Sequence, residues 1–222
     1  MGKNTRVKAR VKAHALREFM ISNDKVIVMG HKISDVDSIG AGIGIYRAAK
    51  SLNKRAHIVV NNPTMSVRPI IESFRQNADY DEHMFINSEA AREIVDNNTV
   101  VVVVDTNKPS YTECEELLQK TKTIVVLDHH RQGSEVIKNA VLSYIEPYAS
   151  STCEMVAEIL QYFSDDIRIY NIEADALYSG IMIDTNNFTA KTGVRTFEAA
   201  AFLRRCGADV TRVRKMFRDD VK

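Results

Sequence analysis

The residues best able to do chemistry lie at four places in the chain. His31, Asp35 and Asp37 form a His-x-x-x-Asp-x-Asp arrangement within VIVMGHKISDVDSIGAGIG, residues 26–44; Asp105 closes the run TVVVVV; Asp128, His129 and His130 are consecutive in VVLDHHRQG; and Asp184 stands in IMIDTNNF. Imidazole and carboxylate donors in this mixture suit a hard or borderline divalent cation such as manganese or magnesium. Each group also has a plainer reading, since a strand-end Asp often caps the next helix and a lone His is usually a satisfied core or surface residue. Gathering them changes the balance. Two carboxylates about 4 Å apart repel by roughly 4 kcal/mol at an effective dielectric near 20. Several such pairs require protonation or intervening cations. Two divalent ions about 3.5–4 Å apart would neutralise the acids and use this many ligands; such pairs activate water and stabilise in-line displacement at phosphorus. Phosphoester or phosphoanhydride hydrolysis is the chemistry expected. A Walker-type phosphate loop is absent, which excludes nucleotide hydrolysis of the P-loop kind.

The elements needed to position these groups are legible in the apolar pattern. Residues 26–29 and 56–60 read as strands, with a weaker one at 84–86; residues 99–104 are a continuous β-branched run, and 123–127 repeat the arrangement before Asp128. Residues 141–145 read as an edge strand. Between the strands, helices are expected from Ile39 through Ala48, over 65–76, over 88–96 and over 111–119. Ser150, Ser151 and Thr152 offer N-caps for a helix reaching Phe163. Helices then follow from Asn171 to about Ile183, over 195–206 and over 209–217, the last two separated by Gly207. The expected fold is a doubly wound α/β domain with a mostly parallel five-stranded sheet flanked by helices, its acids on the carboxyl edge where open sheets bind ligands. A first helix over 4–21 is expected to bury Val7, Val11, Ala15 or Leu16, and Phe19. Residues 1–24 are read as a connecting helix and 25–222 as the domain.

Composition names no partner. The 222 residues carry a net charge of +1, with 45% apolar and 27% charged residues, which argues against nucleic-acid binding by bulk electrostatics. Cys114, Cys153 and Cys206 are widely spaced, in no CxxC pattern, so a reducing compartment is expected. No apolar run approaches the ~20 residues of a membrane span.

In their order and context the four motifs resemble the DHH phosphoesterase superfamily over residue 26 to about 217. GHKISDVDSIGAGIGI, VVVVDTNKPS, VVLDHHRQG, YIEPYASSTCEMV and DTNNFTAKTGVRTFEAA further resemble the catalytic region of membrane-linked bacterial phosphodiesterases acting on cyclic di-AMP. The resemblance implies that His31 and Asp35 bind one manganese ion, that Asp37, His129 and Asp184 bind a second, and that Asp105 bridges them. It also implies that His130 faces the phosphate and that Asp128 orients a histidine. Arg195, Ser150, Ser151 and Thr152 become candidates for phosphate or active-site contacts; helix capping competes for the hydroxyls and a surface salt bridge for Arg195. The expected reaction is hydrolysis of cyclic di-AMP to linear pApA by metal-activated water. Expected with it are a homodimer, no long nucleic-acid partner, and a cytoplasmic position beneath a membrane-anchored parent. Ile33, Ser34 and Ser38 depart from the residues common around the first motif, and no counterpart of the family's smaller base-gripping C-terminal domain follows Phe217. Rivals on the same motifs are a short-oligonucleotide or 3′-phosphoadenosine phosphatase, an exonuclease and a manganese pyrophosphatase. A non-catalytic dimerisation or sensing module is the rival of a different class.

Overall fold

The computed structural model describes residues 2–218. After α1 (Gly2–Ile21) the chain runs β1 (Lys25–Met29), α2 (Val36–Ser51), β2 (Arg55–Val59), α3 (Arg68–Arg75), β3 (Phe85–Ile86), α4 (Ser88–Ile94), β4 (Thr99–Val104), β5 (Thr123–Asp128) and β6 (Leu142–Ile145), then α5 (Thr152–Phe163), α6 (Asn171–Asp184), α7 (Val194–Arg205) and α8 (Val210–Arg218). The strands form a single six-stranded sheet in the order β3-β2-β1-β4-β5-β6 with every pairing parallel. The sheet thus has six strands where five were expected; the weak strand read at 84–86 is present as β3, a two-residue edge element.

Both faces of the central strands are buried, which explains their unbroken β-branched runs. Val100, Val102 and Val104 of β4 face one core with Val26, Val28 and the residues of α2, α5 and α6, while Val101 and Val103 face a thinner layer with Ile27, Met29, Leu117 and Ala91. Chain order reverses between β1 and β4, the switch point at which an open parallel sheet leaves a crevice beyond its carboxyl ends. His31 follows β1, and Asp105 follows β4 directly.

Two local expectations are corrected. Residues 111–119 form no continuous helix. Two 3₁₀ turns, Pro109–Tyr111 and Glu115–Gln119, flank an extended stretch in which Thr112 makes an antiparallel bridge with His31. Backbone bonds from Lys32 N–H to Tyr111 O (2.8 Å) and from Glu113 N–H to Gly30 O (2.9 Å) hold that stretch open, so tertiary pairing overrides helical spacing. In α1 the buried stripe is Ala9, Ala13, Leu16 and Met20, packed on α5 and β6, whereas Val7 and Val11 are 60% and 58% exposed. The small alanines let α1 approach α5 closely, and periodicity alone did not distinguish the two stripes.

Helices α2, α5 and α6 meet where side chains are nearly absent. A Cβ on Gly40 would lie 2.6 Å from Ala176 O and 2.7 Å from Cys153 Sγ, whereas one on Gly42 would meet Ile58 Cγ2 at an ordinary 3.5 Å. Overpacking a tight contact costs about 1–3 kcal/mol, while Gly→Ala at a tolerant helical site gains about 0.5–1 kcal/mol. Gly40→Ala is therefore expected to lower the urea midpoint clearly and Gly42→Ala to leave it unchanged or raise it.

Candidate metal and phosphate site

Three strand ends and one helix end deliver the acids and histidines to a common point. Asp35 is the N-cap of α2, accepting from Ser38 N–H at 2.8 Å through Oδ1, while its Oδ2 lies 3.5 Å from His31 Nε2. Capping thus engages one oxygen and leaves the other directed at His31. His31 Nε2 is also 3.1 Å from Asp105 Oδ2. The other Asp105 oxygen faces His129, whose Nε2 lies 3.4 Å from Asp105 Oδ1 and 3.5 Å from both Asp37 Oδ2 and Asp184 Oδ2. Asp105 therefore belongs to both groups.

Buried Asp37 is held by the first turn of α5. The backbone N–H groups of Thr152 and Cys153 donate to its two oxygens at 2.9 and 2.8 Å, where the helix dipole also favours negative charge. Thr152 Oγ1 donates to Asp105 Oδ1 at 2.9 Å. Asp105 itself has φ +63, a left-handed conformation uncommon for a residue with a Cβ, which turns its carboxylate across the end of the sheet.

The donor geometry fits divalent ions. Ligand atoms about 2.1 Å from an ion in tetrahedral or octahedral arrangement stand about 3.0–3.4 Å apart. In the groups of His31 with Asp35 and Asp105, and of His129 with Asp37 and Asp184, the imidazole–carboxylate distances of 3.1–3.5 Å are close to that spacing, and the donors of each group all lie within 4.8 Å of one another. Charge supports the fit. Burial, followed by the charges of Asp105 and Asp184, drives the Asp37 carboxyl well above the ordinary carboxylate range. Burial and Asp105 push Asp184 up to about 6. His31, despite burial that opposes its charge, is raised to about 10 by hydrogen bonds and charge from Asp105 and Asp35. The upward shifts of Asp37 and Asp184 share one cause, carboxylates held close together out of water, and bound cations would relieve it.

His130 has a separate place. Its Nδ1 lies 2.7 Å from Asp128 Oδ1, which also accepts from the His130 backbone N–H at 3.1 Å; Asn107 Nδ2 donates to Asp128 Oδ2 at 2.6 Å. Asp128, fully buried, orients His130 and holds its pKa above the ordinary histidine value. With Nδ1 fixed, Nε2 is directed toward the crevices that His130 lines.

The structure does not bring the remaining candidates to an open site. Ser150 Oγ donates to Glu154 Oε1 at 3.0 Å, and Ser151 Oγ accepts from Glu154 N–H as the α5 N-cap. All three hydroxyl residues are buried: Ser151 caps α5, Ser150 is bonded to the Glu154 side chain, and Thr152 reaches Asp105. Arg195 makes a bidentate pair with Glu158 at 2.8 and 2.9 Å, a contact that explains it without phosphate. Asn107 and the amides of Thr152 and Cys153 were not singled out from sequence. Asn107, two residues beyond Asp105, carried a weak signal; backbone amides carry none.

A family model for the DHH family, N-terminal domain, matches residues 25–181. The chain belongs to the DHH family. Cyclic-di-AMP phosphodiesterase GdpP of Bacillus subtilis is 47% identical over all of this chain and 34% of its own length, and the protein of that name from Geobacillus thermodenitrificans is 44% identical over the same shares. The chain thus spans about a third of these relatives. An exopolyphosphatase-related protein from Bacteroides fragilis has the same fold, with a TM-score of 0.76, 19% identity, and coverage of 94% of this chain and 60% of its own. This DHH domain contains no helix, among the described residues, long and apolar enough to cross a membrane. Members of the family are metal-dependent, as the donor groups also suggest.

Two expectations follow from this DHH site. His31 contributes stability that is complete below pH 6.5 and lost as pH rises through about 10; Asp184 contributes stability complete below 3.8 and lost as pH rises through about 6. Both act in one direction, so the melting temperature of chelator-treated protein should fall from about pH 6 to about pH 9. Added divalent cation should raise it most at the alkaline end, where no proton competes for the ligands. Thr152→Val should reduce metal affinity about 10- to 100-fold by calorimetry, because it frees one Asp105 oxygen from its fixed direction.

Proposed function

We propose that this chain is the catalytic unit of a manganese-dependent phosphodiesterase that opens cyclic di-AMP to linear pApA. The observation that carries the reading is Asp105, whose two oxygens face separate imidazole–carboxylate groups, in a chain 47% identical throughout to a cyclic-di-AMP phosphodiesterase. His31, Asp35 and Asp105 would hold one ion; Asp37, His129, Asp184 and Asp105 would hold the other. When bound, such a pair supplies an activated water and neutralises charge on the phosphoryl oxygens.

The chain's own residues account for the rest. Asp105 and Asp37 are fixed before substrate arrives, by Thr152 and the α5 amides, so little reorganisation accompanies reaction. His130, kept protonated by Asp128 over a wider pH range than an ordinary histidine, donates from Nε2 to a phosphate oxygen and favours departure of the ribose 3′ oxygen. Water adds to phosphorus, the P–O3′ bond breaks, and the leaving oxygen takes a proton; the product carries a 5′-phosphate and a free 3′ hydroxyl. The relatives' greater length supports placing this domain within a larger protein, which we assign to the bacterial cell membrane with the domain on its cytoplasmic side and paired as a homodimer.

Chromatography of cyclic di-AMP incubated with the protein and manganese tests the reaction. pApA should appear with wild type alone; chelator should abolish it, and Asp105→Asn should slow it by about 10²- to 10³-fold or more. Full manganese-dependent activity in Asp105→Asn would overturn the two-group reading. Cleavage of pApA or pyrophosphate with cyclic di-AMP left intact would reassign the substrate.

A further inference from the structure

Outside the acid cluster the carboxyl edge of the sheet opens into a crevice of about 840 Å³, a volume within the range of small-ligand sites. Its floor is Asp35, Asp105, Asp128 and His130, already described. Its walls have had no role so far. Tyr111 stands on one wall, 55% exposed, with the Lys108 ammonium 4.6 Å from its ring centroid; Ile33, 77% exposed, also lines the crevice, as do Lys32 and Arg131. Single exposed apolar residues need no explanation, but here an aromatic ring, an aliphatic side chain and cations share a cavity that ends on the acids.

The Tyr111 platform is also fixed relative to that floor. Tyr111 O accepts from Lys32 N–H at 2.8 Å, Tyr111 N–H donates to Lys108 O at 3.1 Å, and the adjoining Thr112 is bridged to His31. The ring is therefore tied through backbone to a residue of the acid cluster. A second depression of about 380 Å³ adjoins it, sharing Asp35, Asp105, His130 and Arg131 with the first and adding Asp184 and Lys191. A phosphodiester has a substituent on each side of phosphorus, and these two adjoining depressions both reach the acid cluster.

We infer that the larger crevice is a nucleobase subsite in which the Tyr111 ring stacks a base of the substrate, with Ile33 lining the same cavity, while Lys32 and Arg131 face its non-reacting phosphate. The inference rests on the proposed phosphodiesterase reading and specifies how its substrate is held. Lys108 above the ring contributes a cation–π contact that stiffens the platform. Base–aromatic stacking is tolerant of base identity, so this wall positions a nucleotide without selecting adenine.

The test uses 2-aminopurine ribonucleoside 5′-monophosphate, whose fluorescence is quenched on stacking, with wild type, Tyr111→Ala and Tyr111→Phe. Wild type and Tyr111→Phe should quench the probe with similar affinity, and Tyr111→Ala should lose the quenching. In turnover, Tyr111→Ala should raise KM for cyclic di-AMP by about 5- to 100-fold. Manganese affinity of Tyr111→Ala, measured by calorimetry, should stay within about twofold of wild type, as expected when base binding is lost and the acid cluster is undisturbed. Quenching by wild type without turnover of cyclic di-AMP would remove the reaction and leave the subsite standing. Absence of quenching by wild type, equal quenching by Tyr111→Ala, or a loss of manganese affinity in Tyr111→Ala that matches its loss of turnover would overturn the subsite.

Discussion

Repulsion among carboxylates is the constraint that orders the rest of this structure. Asp37 and Asp105 are buried with Asp184 near them, and Asp35 completes the group from the rim. Pairs of this kind oppose one another by a few kcal/mol each at an effective dielectric near 20. Folding must therefore fix the acids against their mutual force before any ion binds. The means are local and identifiable. Two amides of α5 face Asp37, a buried hydroxyl faces Asp105, and three histidines supply positive charge or accept an ion. Even the helix packing takes part. A Cβ at Gly180 would stand 3.1 Å from Asp37 Cα and 2.4 Å from Cys153 Sγ, so the absence of a side chain there lets α6 support the Asp37 backbone.

Topology explains why these acids meet although their positions span most of the chain. In an all-parallel sheet every strand delivers its last residue to the same edge, and reversal of strand order between β1 and β4 opens that edge at its centre. β1, β4 and β5 are the central strands and carry the three sequence motifs. α6 reaches the same place only because α2 and α5 pack beneath it, so Asp184 depends on helix packing while the other acids depend on the sheet. Substitutions between these helices and substitutions at strand ends should then perturb the two donor groups unequally.

Much of this was legible because a buried parallel strand leaves an unmistakable apolar run, and an acid directly after such a run has one plausible location. The two-residue β3 showed as the weak strand read at 84–86, whereas the segment after Asp105 followed its pairing with His31 instead of its own spacing. Hydroxyls were ambiguous for a chemical reason: Ser150, Ser151 and Thr152 have the same atoms whether they bind phosphate, cap a helix or orient a carboxylate. Only the fold showed that Ser151 caps and Thr152 orients. Arg195 was ambiguous because its partner, Glu158, is 37 residues away on another helix.

The Asp128-His129-His130 triplet shows how sequence order becomes division of labour. At the end of β5 the side chains of adjacent residues diverge, and the two imidazoles lie with ring centroids 4.2 Å apart and planes inclined by 50°. His129 points Nε2 among Asp37, Asp105 and Asp184, while His130 is turned back by Asp128. Asp128 is engaged on both oxygens, one by His130 and the other by Asn107, which leaves it poorly placed to serve as a further ligand. Its charge acts through His130 instead. Exchanging the acid with His129 would preserve composition but place an imidazole in the buried Asp128 position, where Asn107 needs an acceptor, and an acid beside three carboxylates. The order of the triplet is thus set by electrostatics: the buried anion must sit away from the cluster, the first imidazole within it, and the second facing the open crevice.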